Sequence, residues 1–234
     1  TTLIASLSGN ALGDSTFTFT TDSLAAGLHN FTVRGVDLAG NEGTAASLKV
    51  SIDNVSEAPS LALGAGLDVG TSTTDGLTRT ATALVFNGSA EVNARVVLFN
   101  DRNNNGQLNP GEELAETLAS TTNGAFSFTG INLGAGQHLL RAIAFDNAGN
   151  ASLASEAVEI FIDLQVPNAP TQLSLSPVSD TGLRSDDAVT TAGRVLNLRA
   201  NLASDAVAGD TLSLYNSTTS VSYTHLTLPT NREV

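Results

Sequence analysis

The stretch GAFSFTGINLGAGQHLLRAIAFDNAGN, residues 124–150, decides the architecture, because the chain has already used the same pattern at residues 15–41, STFTFTTDSLAAGLHNFTVRGVDLAGN. Phe17 matches Phe126, Phe19 matches Phe128, Gly27 matches Gly136, His29 matches His138, and Asp37 matches Asp146 at a spacing of 109 residues (146 − 37). Working outward, Ile52-Asp53 matches Ile162-Asp163, and Ala58-Pro59 matches Ala169-Pro170. DVGTSTTDGLT at 68–78 then matches DTGLRSDDAVT at 180–190, a spacing of 112 (180 − 68). Self-similarity with so little drift is the mark of tandem structural units.

The period predicts a domain map. Residues 1–57 are the C-terminal part of one repeat, 58–167 a complete repeat, and 168–220 the truncated N-terminal part of a third. The boundaries fall at NVSEAP and LQVPNAP, where proline interrupts strand pairing and extends the backbone. Within the complete repeat the apolar pattern has period two. In QHLLRAIAF, His138, Leu140, Ala142 and Ala144 share one face, and Leu139, Arg141, Ile143 and Phe145 the other. Val158, Ile160 and Ile162 line one face of the next run. Strands are expected near 60–64, 80–89, 94–100, 113–120, 124–129, 137–145 and 155–163. Seven short strands in about 100 residues, with no helical window, predict an all-β fold of tandem immunoglobulin-like β-sandwich repeats. Residues 221–234, VSYTHLTLPTNREV, break the pattern and resemble a translated sequencing adapter, so this tail is expected to be artefactual.

Composition narrows the function. Hydrophobic residues make up 41% of the 234, enough for a core, while aromatics make up 5% with no Trp. Ten basic residues face 23 acidic ones, a net charge of −13, which repels nucleic-acid phosphates and anionic lipid headgroups and attracts cations. The absence of Cys removes disulfides, thiolate metal sites and thiol catalysis. No apolar run reaches the roughly 18 residues of a membrane span. The absence of Met and of a signal peptide leads us to expect a piece of a longer polypeptide.

Two constellations point to metal chemistry. DRNNNGQLNPGE, residues 101–112, matches every fixed position of the calcium-loop pattern, with Asp101, Asn103, Asn105, Gln107, Asn109 and Glu112 as the ligands and Gly106 at the turn. Calcium takes six to eight hard oxygens, and alternate residues of such a loop supply them. With two charged ligands the expected affinity is weak, of order 10⁻⁴–10⁻³ M. An Asn/Gly-rich hairpin turn is the competing reading of the same residues. The second constellation is the recurring set Asp37, Asp53, Asp68 and Asp75, repeated as Asp146, Asp163, Asp180 and Asp187. If units stack end to end, the strand-end Asp meets the first loop of the next unit, and calcium would relieve the repulsion there. Asx-turns and caps are the competing role for the same side chains. His29 and His138 have no catalytic company and read as structural. Glu112-Glu113 has no defined partner for glycosidase chemistry. No enzyme activity is expected.

Read in order, Phe-x-Phe, Leu-x-x-Gly-x-His, Asp-x-Ala-Gly-Asn, Ile-Asp and Ala-Pro resemble the bacterial Ig-like repeats of large secreted adhesins and biofilm-associated surface proteins. The resemblance covers 1–57 and 58–167 well and 168–220 in part, and it departs at 101–112, where the calcium-type loop replaces a short hairpin. It implies secretion and display at the bacterial cell surface, neighbouring repeats of the same chain as partners, and calcium-dependent stiffening of a non-catalytic stalk. The adhesive target then lies outside this sequence. A calcium-dependent carbohydrate-binding module attached to a secreted hydrolase is the alternative, disfavoured by the scarcity of aromatic residues that could stack on sugar rings.

Overall fold

The computed structural model describes residues 18–191, 195–207 and 209–216, together with the backbone of Leu226–Thr227. The chain divides into two compact units, Thr1–Leu164 and Gln165–Val234. Among the described residues every regular element is a strand.

Among the described residues, the first strands of the first unit form a hairpin of β1, Gly27–Val33, and β2, Ala46–Ile52. A two-sheet sandwich follows. Its strands are β3 Ala62–Leu63, β4 Leu77–Thr78, β5 Leu84–Ser89, β6 Arg95–Asn100, β7 Glu113–Leu118, β8 Ala125–Ile131, β9 Gly136–Phe145 and β10 Val158–Ile162. One sheet has the order β4-β10-β9-β6-β7 and the other β3-β5-β8. Alternation dictates what is buried between them. Leu140, Ala142 and Ala144 of β9, together with Ile160 and Ile162 of β10, face Leu84 and Phe86 of β5 and Phe126 and Phe128 of β8. Leu84, Phe86, Leu98 and Leu140 are all 0% exposed. Phe126 and Phe128, two residues apart on one face of β8, meet edge to face at 5.4 Å between centroids.

Seven of the expected strands form, with shifted ends, and β4 is an addition. The run expected at 80–89 begins at Leu84, because Ala83 takes a positive φ of 54° and breaks the ladder. The run expected at 155–163 begins at Val158 for a different reason. Ser155 pairs with β9 through its side chain: its N–H donates to Ala142 O at 2.8 Å, and Ala142 N–H donates to Ser155 Oγ at 3.0 Å. Ser152 does the same for Ala144, at 2.9 Å in both directions. Two serine hydroxyls thus stand in for two backbone carbonyls, and the buried N–H groups of β9 stay satisfied. β4 exists because Gly76 O accepts from Phe161 N–H at 2.8 Å and Thr78 O accepts from Asp163 N–H at 2.9 Å, a short parallel pairing.

The second unit holds β11, Thr171–Leu175, paired with β12, Leu198–Asn201, and β13, Thr211–Leu212, paired with β14, Leu226–Thr227. Apart from the β14 backbone, the expected tail at 221–234 lies outside the described residues, as do residues 1–17.

Two glycines with nearly the same backbone have different needs. Gly124 and Gly106 take φ of 70° and 69°, but a Cβ on Gly124 would lie 1.9 Å from Ala90 O, whereas one on Gly106 meets nothing within 4 Å. Urea unfolding should therefore show Gly106→Ala costing about 1 kcal/mol from the left-handed backbone alone. Gly124→Ala should cost about 2–4 kcal/mol, because strain and overpacking add.

Candidate metal centres

β6 delivers Asp101 to the end of the sheet, where its N–H donates to Leu139 O at 2.8 Å. The side chain is 0% exposed, so its charge must be met from within. Asn105 N–H donates to Oδ1 at 3.0 Å, Gly106 N–H to Oδ2 at 2.9 Å, and Arg141 Nε to Oδ2 at 3.0 Å. Burial works to raise the Asp101 pKa, but the Gly106 and Asn105 N–H groups and then Arg141 outweigh it and hold the carboxyl below the usual carboxylate range. Arg141, reaching across from β9, also donates from Nη1 to Ser155 O at 2.8 Å.

The far end of the loop is closed in the same way. Glu112, 6% exposed, accepts Arg102 N–H on Oε1 at 3.2 Å and Asn109 N–H on Oε2 at 3.0 Å. The six expected ligands therefore share one compact loop, with differing roles. Asn105 Oδ1, Gln107 O and Glu112 Oε2 converge on Asn109 Nδ2 at 3.2, 3.0 and 3.2 Å. Three acceptors face a nitrogen with two hydrogens, and all three are hard oxygens at positions 5, 7 and 12 of the pattern, so their donor chemistry fits calcium. Asn103 Oδ1 is occupied by Asn105 N–H at 3.2 Å, and Asn109 turns its amide nitrogen inward. Asp101 is already neutralised by Arg141.

A second centre gathers three carboxylates. Asp53, Glu91 and Asp146 each place one oxygen within 4.8 Å of the other two. Asp53 follows β2, Glu91 follows β5 and Asp146 follows β9, so the cluster lies where the leading hairpin meets the sandwich. Two hydrogen bonds tie the same seam: Asn150 Nδ2 donates to Asp53 O at 3.1 Å, and Glu57 N–H donates to Glu91 Oε1 at 2.7 Å. Asp146 is shaped by the DNAGN turn, accepting Ala148 and Asn150 N–H on Oδ1 and Asn150 Nδ2 on Oδ2. The Asn150 side chain leads in holding the Asp146 pKa down against burial, and Asn41 does the same for Asp37. Three like charges at this spacing repel by about 1 kcal/mol per pair in water.

Of the eight recurring aspartates, then, Asp53 and Asp146 come together, with Glu91 as the unforeseen third. Asp37 caps its own turn through Ala39 and Asn41. Asp75 and Asp187 cap Leu77 and Val189 N–H. Asp163 donates its N–H to Thr78 O. Asp68 and Asp180 accept Gly76 and Ala188 N–H on Oδ2, while Oδ1 of each is buried with no hydrogen-bond partner, a setting that calls for a water or a cation. Glu91 escaped the sequence reading because a fixed offset of 112 pairs it with Ala203. The geometric counterpart is Asp205, whose Oδ2 accepts Asn168 N–H at 2.9 Å as Glu91 accepts Glu57. Arg141 escaped because its partner is 40 residues away in sequence. His138 is structural, bonded to Gly134 O at 2.9 Å and Asn100 Nδ2 at 3.0 Å, and His29 bonds Ala25 O likewise. Removing the Asp101 carboxylate strands the arginine: in metal-free buffer Asp101→Ala should cost about 3–5 kcal/mol by urea unfolding, and the double variant Asp101→Ala/Arg141→Met should recover part of that loss.

The bacterial Ig-like domain family matches residues 55–164. A solved structure of fibronectin(III)-like modules of CbhA from Clostridium thermocellum is similar at 17% identity, with a TM-score of 0.32 over 62% of this chain and 69% of that one. No curated protein matches the sequence. Bacterial Ig-like domains are typically non-catalytic and often extracellular or at the cell surface. Among the described residues no helix is long and apolar enough to cross a membrane. The match runs from the linker before β3 to the end of β10, so residues 55–164 are similar to the bacterial Ig-like domain family.

Proposed function

We propose that this chain is a non-catalytic stalk segment of a secreted bacterial adhesin, built from tandem Ig-like repeats whose seams are stiffened by calcium. It serves cell adhesion or biofilm formation by spacing an adhesive module from the cell. The observation that carries the reading is the convergence of Asp53, Glu91 and Asp146 at the seam between hairpin and sandwich. A spacer needs a stiff seam, and carboxylates placed there oppose docking until a cation bridges them. Asp53, Glu91 and Asp146 would hold the ion, which supplies charge neutralisation and a cross-link. Asn105, Gln107 and Glu112 are the groups that would serve it in the 101–112 loop. The net charge of −13 supports the same reading, since it favours cation uptake. A sugar-binding platform has less support: in the sandwich, Phe161 is the exposed aromatic among the described residues, at 48%.

Thermal unfolding of the whole chain in EDTA and in excess calcium tests the proposal. Calcium at 100 times its dissociation constant should add about 2.7 kcal/mol and raise Tm. Glu91→Gln keeps the oxygen that accepts Glu57 N–H but removes a charge. In EDTA it should melt no lower than the unaltered chain, and in calcium it should lose most of the gain. A melt indifferent to calcium would contradict the proposal.

A further inference from the structure

Three asparagines in the chain are followed by glycine: Asn87, Asn105 and Asn123. Such a pair can close on itself, because glycine has no side chain to keep its backbone nitrogen away from the preceding carboxamide. The fold gives the three pairs different surroundings. Asn87 lies within β5, paired with Ala62 of β3 and Ser127 of β8, and the ladder holds its backbone extended. Asn123 lies in the turn before β8, where its Oδ1 accepts Ala125 N–H at 3.1 Å. There Gly124 N–H donates to the carbonyl oxygen of Ser120 at 3.0 Å, and the glycine is packed against Ala90 O.

Around Asn105 the groups facing both reacting atoms are of another kind. Gly106 N–H donates to Asp101 Oδ2 at 2.9 Å, so the nitrogen that must lose a proton faces a carboxylate rather than a carbonyl. That distance is within the reach of a general base. Asn105 Oδ1 accepts Gln107 N–H at 2.8 Å and Asn109 Nδ2 at 3.2 Å, two donors that polarise the carboxamide and stabilise negative charge on its oxygen. The Gln107 bond spans two residues and so folds the carboxamide back over the Asn105–Gly106 peptide. A Cβ on Gly106 would meet nothing within 4 Å, and Asn105 is exposed, so the site has room to close and water can reach it.

We propose that Asn105 is a self-modification site, at which Gly106 N attacks Asn105 Cγ while Asp101 takes the amide proton. The N–Cγ bond forms, the Cγ–Nδ2 bond breaks, and the proton passes from Asp101 to the departing nitrogen, which leaves as ammonia. The five-membered succinimide then takes up one water and opens to an aspartyl or an isoaspartyl linkage. The balance is one water in and one ammonia out. Either product adds a carboxylate to a loop that already holds Asp101 and Glu112, which strengthens its pull on cations. The modification itself does not depend on the calcium reading.

Peptide mass spectrometry of the full chain, aged in EDTA at neutral pH in native buffer and in urea, tests this. In urea the three pairs should lose ammonia at similar rates, since their common Asn-Gly sequence then governs them. Folding should slow Asn87 and Asn123 but speed Asn105 by roughly tenfold or more. The double variant Asp101→Asn/Arg141→Met removes the proton acceptor together with its counter-charge. In native buffer its Asn105 should fall to the urea rate or below, while a slow Asn123 reports that the variant is folded. The proposal is overturned if folding slows Asn105 as it slows the other two, or if the folded double variant loses ammonia at Asn105 as fast as the unaltered chain.

Discussion

The buried carboxylate of Asp101 is the contact on which the sandwich turns. It stands at the end of β6, fully removed from water, and it ties the 101–112 loop and the stretch before β10 to the β6–β9 ladder. Asn105 and Gly106 bring the 101–112 loop onto it, and Arg141 meets it from the paired strand β9. Through its other nitrogen Arg141 reaches Ser155 O, in the stretch leading into β10. A charge taken this far from solvent is tolerable only when hydrogen bonds and an opposite charge converge on it, and the convergence fixes where each segment ends.

The calcium-loop pattern and the ion pair are two uses of one geometry. Backbone N–H groups folded around Asp101 and Glu112 arise from the same spacing that gathers oxygens around a cation. In this chain Arg141 supplies the positive charge on one side and the Asn109 amide fills the centre on the other. The seam at Asp53, Glu91 and Asp146 has no basic member, which is why it, rather than the loop, carries the functional reading.

The fold was largely legible because β9 and β10 alternate cleanly: Leu140, Ala142 and Ala144, and Ile160 and Ile162, are buried on the faces their spacing assigned. Strand ends were less legible. Ala83 adopts a left-handed conformation that its residue type does not announce, and Ser152 and Ser155 replace ladder carbonyls with hydroxyls that in sequence resemble any loop serine. The site was half legible. Asp53 and Asp146 recur with the period and so were visible, but the Glu91 counterpart is displaced by a change in loop length, and Arg141 reaches Asp101 only once β6 and β9 are paired. Period finds what repeats at a fixed offset; it passes over partners that tertiary pairing creates.

A stiff seam at Asp53, Glu91 and Asp146 requires that it take up a cation. Calorimetric titration of calcium into the metal-free 234-residue chain measures this directly, with Asp53→Asn/Glu91→Gln as the comparison. The unaltered chain should show saturable binding at millimolar or tighter affinity, and the double variant one equivalent fewer. Identical isotherms for the two proteins, or no saturable heat in either, would contradict it.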